Sequence, residues 1–163
     1  MAFLHAMKKL FTILGVIFTV IIVIIVIAAA IFIPRTLKLD REATAYIQDA
    51  VPKIVTNWNS QELVDRATPE LLAAGESRDK LDRLFIMFQR LGSFKHLDKP
   101  EGTVVSSAYT GTGTVTTGNY KALGEFEKGK ARIEIQLQRV GNTWKINGFH
   151  IFSDALLPPK ASQ

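Results

Sequence analysis

Residues 10–33 read LFTILGVIFTVIIVIIVIAAAIFI, 24 positions without one charged side chain, 18 of them Leu, Ile, Val or Phe. As an α-helix rising about 1.5 Å per residue, the stretch reaches about 36 Å, enough to cross the ~30 Å hydrocarbon core of a bilayer with some tilt. Thirteen positions are Ile or Val, which in water favour strands. In hydrocarbon every backbone N–H and C=O must be paired within the segment, and for a lone span only a helix does that. Each central apolar residue adds about 0.3–0.6 kcal/mol to insertion, so the span needs no help from other helices. A cleaved signal sequence would also begin after Lys8 and Lys9 and could end at Ala28-Ala29-Ala30, but its apolar core usually runs only ~7–15 residues. The stretch reads as an uncleaved anchor, and its first partner is the lipid bilayer.

Outward from the span the chain divides in a simple way. Residues 1–9 form a short basic tail, and Lys8 and Lys9 flank the membrane on that side. Pro34 is expected to stop the helix, with Arg35 reaching the headgroups, and residues 34–39 form a linker of at most ~20 Å. A domain covers 40–157 and a tail 158–163. The positive charges on the two flanks nearly balance, but a basic tail ahead of a first apolar helix has the layout of a signal anchor. The expected location is therefore a bacterial inner membrane, with the C-terminal domain in the periplasm.

The 163 residues carry a net charge of +5, of which Lys8 and Lys9 supply two. The remaining charges are interspersed, so no nucleic-acid stripe is drawn. With no cysteine in the chain, neither disulfides nor thiolate metal ligands are available.

From Asp40 the residues Tyr46, Ile47, Ala50, Val51, Ile54, Val55 and Trp58 recur at helical spacing, and Pro52 is expected to kink or break the helix near Val51. Asn59 and Glu62 suggest a capping box, and Thr68-Pro69 a second helix start. After these two short pieces Ser77 caps a clearer helix, whose stripe Leu81, Leu84, Phe85, Phe88 and Leu91 ends at Gly92. The period then falls from 3.6 to 2. Strands are expected at 93–97, 103–109, 120–127, 131–140 and 143–152. Between the second and third, the glycine-rich stretch 110–118 reads as a weak or bulged edge. Ala131, Ile133, Ile135 and Leu137 should face inward, Arg132, Glu134, Gln136 and Gln138 outward. Gly148 shifts the phase of the last strand, which predicts a bulge. Helices followed by an antiparallel meander give an α+β domain with the helices on one face of a curved sheet.

Three stretches carry a family resemblance: Phe88-Gln89-Arg90-Leu91-Gly92-Ser93-Phe94, then Tyr120-Lys121-Ala122 and Phe126-Glu127-Lys128-Gly129, and the closing Trp144 to Phe149. The region from about 40 to 155 resembles the NTF2-like (cystatin-like) superfamily. That group includes ketosteroid isomerase, transport factors and the membrane-anchored VirB8-type assembly proteins of type IV secretion. The order of short tail, single span and extracytoplasmic domain is similar to the VirB8-type layout, and the resemblance implies a helix-covered cone over a curved sheet.

Chemistry is sparse. His5, His96 and His150 have no ligand spacing, the inward strand positions offer Tyr120 and no acid, and no nucleophile or phosphate-loop motif occurs. No enzymatic activity, metal or cofactor is expected. The expected function is that of a non-catalytic accessory or scaffolding subunit of a larger membrane complex, whose partners are other membrane protein subunits. The alternative is a small apolar ligand held in the cone by Trp58, Phe88, Tyr120 and Phe126. Arg132, Glu134, Gln136 and Gln138 read first as a solvated face and second as an interface, including a homodimer through the sheet face.

Overall fold

A computed structural model of the chain describes residues 2–74, 78–109 and 113–156. The chain divides into two compact units, Met1–Lys38 and Leu39–Gln163. In the first, helix α1 (Ala2–Thr56) carries the apolar stretch, and its side chains from 14 to 27 are exposed apart from any protein neighbour. One helix near the N-terminus is therefore long and apolar enough to cross a membrane.

The helix does not stop at Pro34 and is not broken at Pro52; both lie inside α1, so residues 34–39 are helical rather than an extended linker. A helical proline removes one N–H, a loss that a membrane helix tolerates at the position of Pro34. At Pro52 the carbonyl left without its donor belongs to the exposed Gln48, which water can reach. Burial of Ala50, Val51, Ile54 and Val55 on the opposite face holds the turn together.

The second unit is α+β. From Leu39 on, α1 supplies its first helix, followed by α2 (Ser60–Arg66), α3 (Pro69–Ala73), α4 (Arg78–Phe88) and a 3-10 turn at Gln89–Leu91. Trp58 leaves α1 at φ +48°, a left-handed conformation that glycine usually takes at a helix end, and its ring packs against Phe85, Phe88 and Phe126. Asn59 caps α2 through the Gln61 N–H, but the carboxylate of Glu62 pairs with Arg66, so only half of the capping box forms. Thr68 accepts from the Leu71 N–H at 3.1 Å with Pro69 at the first helical position, as its sequence implies. The cap assigned to Ser77 lies outside the described residues.

Five strands follow: β1 (Phe94–Leu97), β2 (Glu101–Tyr109), β3 (Gly113–Phe126), β4 (Gly129–Val140) and β5 (Thr143–Phe152), all antiparallel. The order is β1-β3-β4-β5, with β2 also on β3, so β1 and β2 share one border of the sheet. Of the glycine-rich stretch, 110–112 lie outside the described residues, while 113–118 belong to one continuous strand β3 with no bulge against β2. The reason is the Tyr120 ring, which lies where side chains at Gly102 and Gly118 would otherwise stand. On β4 the inward residues Ala131, Ile133, Ile135 and Leu137 are buried, and Gly141 turns the chain at φ +61°. The bulge in β5 is present: Gln136 pairs with Gly148 and Leu137 with Ile146, which leaves Asn147 as the extra residue. The core lies between the helices and the inner sheet face, from Ile47, Val51 and Ile54 across to Ile133, Ile135 and Ile146.

Candidate functional site

The cone at the four aromatic positions is filled. Trp58 stacks on Phe126 at 5.5 Å and tilts against Phe88 at 5.7 Å, while Phe94 closes on Phe126 from the other side at 5.6 Å. Tyr120 is buried, and its hydroxyl donates to Asp40 Oδ1 at 2.6 Å, tying the start of the domain's first helix to the middle of β3. Burial, and then the hydrogen bond and charge of Asp40, raise the Tyr120 pKa above its ordinary value near 10, against a smaller lowering by Thr44. The phenol is held as a protonated donor. A second tie joins the same helix to β4, where Arg139 donates to Glu42 at 2.7 Å. Tyr46 is also raised by burial, with Arg66 lowering it and Asp49 raising it.

The four outward residues of β4 stand on a mixed-charge face. Glu101, Lys121, Glu134 and His150 are successive cross-strand neighbours, forming a row that alternates in sign up to its last member. Glu134 lies 3.2 Å from Arg132 and 3.7 Å from Lys121, and the Arg132 guanidinium sits 4.9 Å over the Phe152 ring. Such pairs at an exposed face contribute little to stability, up to about 1 kcal/mol each, and keep the face wet. Gln136 and Gln138 continue the polar face on the side of Asn119 and Thr117. Arg35 is exposed; the side chains of Lys8, Lys9 and His5 lie outside the described residues. His96 is exposed, with Nε2 3.5 Å from Asp98. Among the described residues no three of His, Cys, Asp and Glu come together as a metal cluster.

The residues that do frame open space are others. Two adjoining cavities of about 230 Å³ each run between α2, α3 and α4 on one side and β5 on the other, sharing Leu63, Leu81, Leu84, Phe149 and His150. Of the four aromatic residues expected to hold a ligand, only Phe88 lines this groove. Its walls are mostly apolar; Gln136 and Asn147 line the first cavity alone, and Asn147 Oδ1 accepts from the Thr68 hydroxyl at 2.8 Å. Sequence reasoning placed Leu81 and Leu84 in the core stripe; the break in alternation at Gly148 was the one local sign that the strand leaves its neighbour there.

No protein-family model, no curated protein and no solved structure matches this chain.

Proposed function

We propose that this protein is a single-pass, membrane-anchored accessory or scaffolding subunit that acts without catalysis, its domain NTF2-like in the manner of the VirB8-type proteins. The observation that carries the reading is the filled cone: Trp58, Phe88 and Phe126 occupy the space a substrate would need, and the Tyr120 hydroxyl is committed to Asp40. The uncharged, exposed helix supports the anchor. By the signal-anchor layout the domain faces the periplasm from a bacterial inner membrane. Solubilisation in mild detergent, native electrophoresis and mass spectrometry of what migrates with the chain test this reading. A band heavier than the monomer with a recurrent membrane-protein partner is expected, and a chain that always migrates alone overturns it.

A second reading has its own observation, the apolar groove beside β5. A volume of about 230 Å³ in each of two joined parts suits a small apolar ligand with one polar end directed at Gln136 and Asn147. Leu84→Trp would fill the groove, and loss of a bound lipid-like molecule from the native mass spectrum would be the sign of occupancy.

A further inference from the structure

Residues 102–120, GTVVSSAYTGTGTVTTGNY, are 19 positions without a charge, in a chain that is 21% charged. They make up most of β2 and the first half of β3, which pair from Glu101 opposite Lys121 to Tyr109 opposite Gly113. Strand β4 joins β3 only from Thr117 onward, so 106–109 with 113–116 form a two-stranded ribbon beyond the end of β4. Among the described residues β2 pairs with β3 alone.

An unpaired border offers every other N–H and C=O to another chain, and folded proteins block it with a lysine, a proline, a bulge or a covering element. The borders at β1 and β5 have such devices. Strand β1 has Lys95 and a register shift between Phe94 and His96, and β5 has the bulge at Asn147 and a cover at Ile146. From Gly102 to Tyr109 the strand has no lysine, no proline and no register shift against β3, and Val105 is 49% exposed.

We propose that β2 pairs antiparallel with β2 of a second copy of this chain, about a two-fold axis at Val105. That centre pairs all nine residues of the strand: Glu101 falls opposite position 109, Gly102 opposite Ala108, Thr103 opposite Ser107 and Val104 opposite Ser106. No like charges meet, so the edge is compatible with itself, which a lysine-bearing edge is not. The register keeps parity, setting buried Val104 against Ser106 of the same strand face, whose hydroxyl meets that of Thr116, and joining the two exposed Val105 side chains on the other face. A charged partner strand would have to desolvate its charges against an edge that has none to offer. One nine-residue edge is small beside the ~1,600 Å² of a standard interface, and the strength of the dimer therefore rests on the membrane-anchor reading, since two copies confined to one bilayer meet at a raised effective concentration.

The absence of cysteine makes the test direct. Directly opposite residues of an antiparallel pair have Cα atoms about 4.5–5.5 Å apart, inside the ~4.4–6.8 Å range a disulfide spans. Val105→Cys in the full chain, oxidised in native membranes, is expected to give a disulfide-linked dimer on a non-reducing gel. Val140→Cys, on an equally exposed side chain, is the collision control and should react at least about tenfold more slowly. Copies carrying Thr103→Cys should crosslink to copies carrying Ser107→Cys and not to themselves; this mixture reads the register and stands in for Val105→Cys should that variant not accumulate. Equal rates at 105 and 140, or a Thr103→Cys chain that crosslinks to itself as fast as to Ser107→Cys, overturn the proposal. Alkaline carbonate extraction of the same membranes separates the two readings. A monomeric Val105→Cys in the carbonate-resistant fraction sinks the dimer and leaves the anchor, whereas an extracted chain that still crosslinks at 105 does the reverse.

Discussion

At the β5 border the N–H of Thr68 donates to the Ile146 carbonyl at 2.8 Å, Ala67 forms a parallel bridge to the same residue, and Lys145 reaches the Asp65 carbonyl at 3.1 Å. At the β2 border no comparable contact occurs among the described residues. Both strands are long, nine residues for β2 and ten for β5. The contrast shows how the helices are used: the connection between α2 and α3 closes one side of the sheet while the helices fill the inner face. Nothing in the described fold does the same for β2. An edge left without charge, proline or bulge is a template for another strand, and β2 is such an edge from Gly102 to Tyr109.

The two borders should respond differently to disruption, and the largest effect belongs to the closed one. Ile146 is fully buried, and its backbone holds the cover. Ile146→Ala should lower unfolding stability by about 2–5 kcal/mol in denaturant titration, through the lost side chain and the cavity left behind. It should leave crosslinking at position 105 unchanged. Gly102→Ala comes next: a Cβ there would stand 2.6 Å from Tyr120 Cδ1, 2.7 Å from Tyr120 Cα and against the Asn119 carbonyl. Backbone atoms cannot step aside as a flexible side chain can, so about 1–3 kcal/mol is expected from overpacking. Here the dimer should suffer too, because the strain falls on the start of the pairing strand. Slower crosslinking of Val105→Cys in the Gly102→Ala background, with none of that slowing in Ile146→Ala, would sharpen the contrast; the opposite pattern would break it.

The way these positions escaped or yielded to sequence reading has a physical pattern. Alternation of period 2 made the inward face of β4 legible, because Ala131 to Leu137 sit in a strand buried on one side only. The phase slip at Gly148 marked the bulge for the same reason. The glycines of 113–118 misled as to a bulge, since a glycine's role in a strand depends on what lies across from it: Gly118 seats the Tyr120 ring, two residues away on the same face. Pro34 misled as to where the helix stops, and Pro52 gives no break, since helix propensity is outweighed where the rest of a turn is buried or in lipid. Contacts such as Tyr120 with Asp40 join residues 80 positions apart and leave no mark on any local window. The groove beside β5 was hidden because Leu84 satisfies a helical stripe whether the neighbouring strand touches it or not.

Smaller effects test what holds each border in place. Thr68→Val removes the cap on the Leu71 N–H and the bond to Asn147, with about 1–2 kcal/mol lost. Denaturant titration should show that loss, and native mass spectrometry should show weaker retention in the groove if a ligand sits there. On the β2 side the corresponding residue is Tyr120, whose ring supports Gly102 and Gly118 and whose hydroxyl holds Asp40. Tyr120→Phe keeps the ring and should cost only about 0.5–1.5 kcal/mol, but it leaves a signature in alkali. The folded-state pKa of Tyr120 is raised above its unfolded value near 10, so the folded protein keeps a proton that the unfolded chain gives up. The stability it contributes is whole below pH 10 and is lost as pH rises beyond it. Tyr46 is shifted the same way and contributes a fall of its own. Thermal unfolding above pH 10 should therefore fall less steeply in Tyr120→Phe than in the parent, with Tyr46→Phe accounting for part of what remains. If the parent and Tyr120→Phe decline in parallel, the buried phenol is not what joins the helix to β3, and the support beneath the open border must come from packing alone.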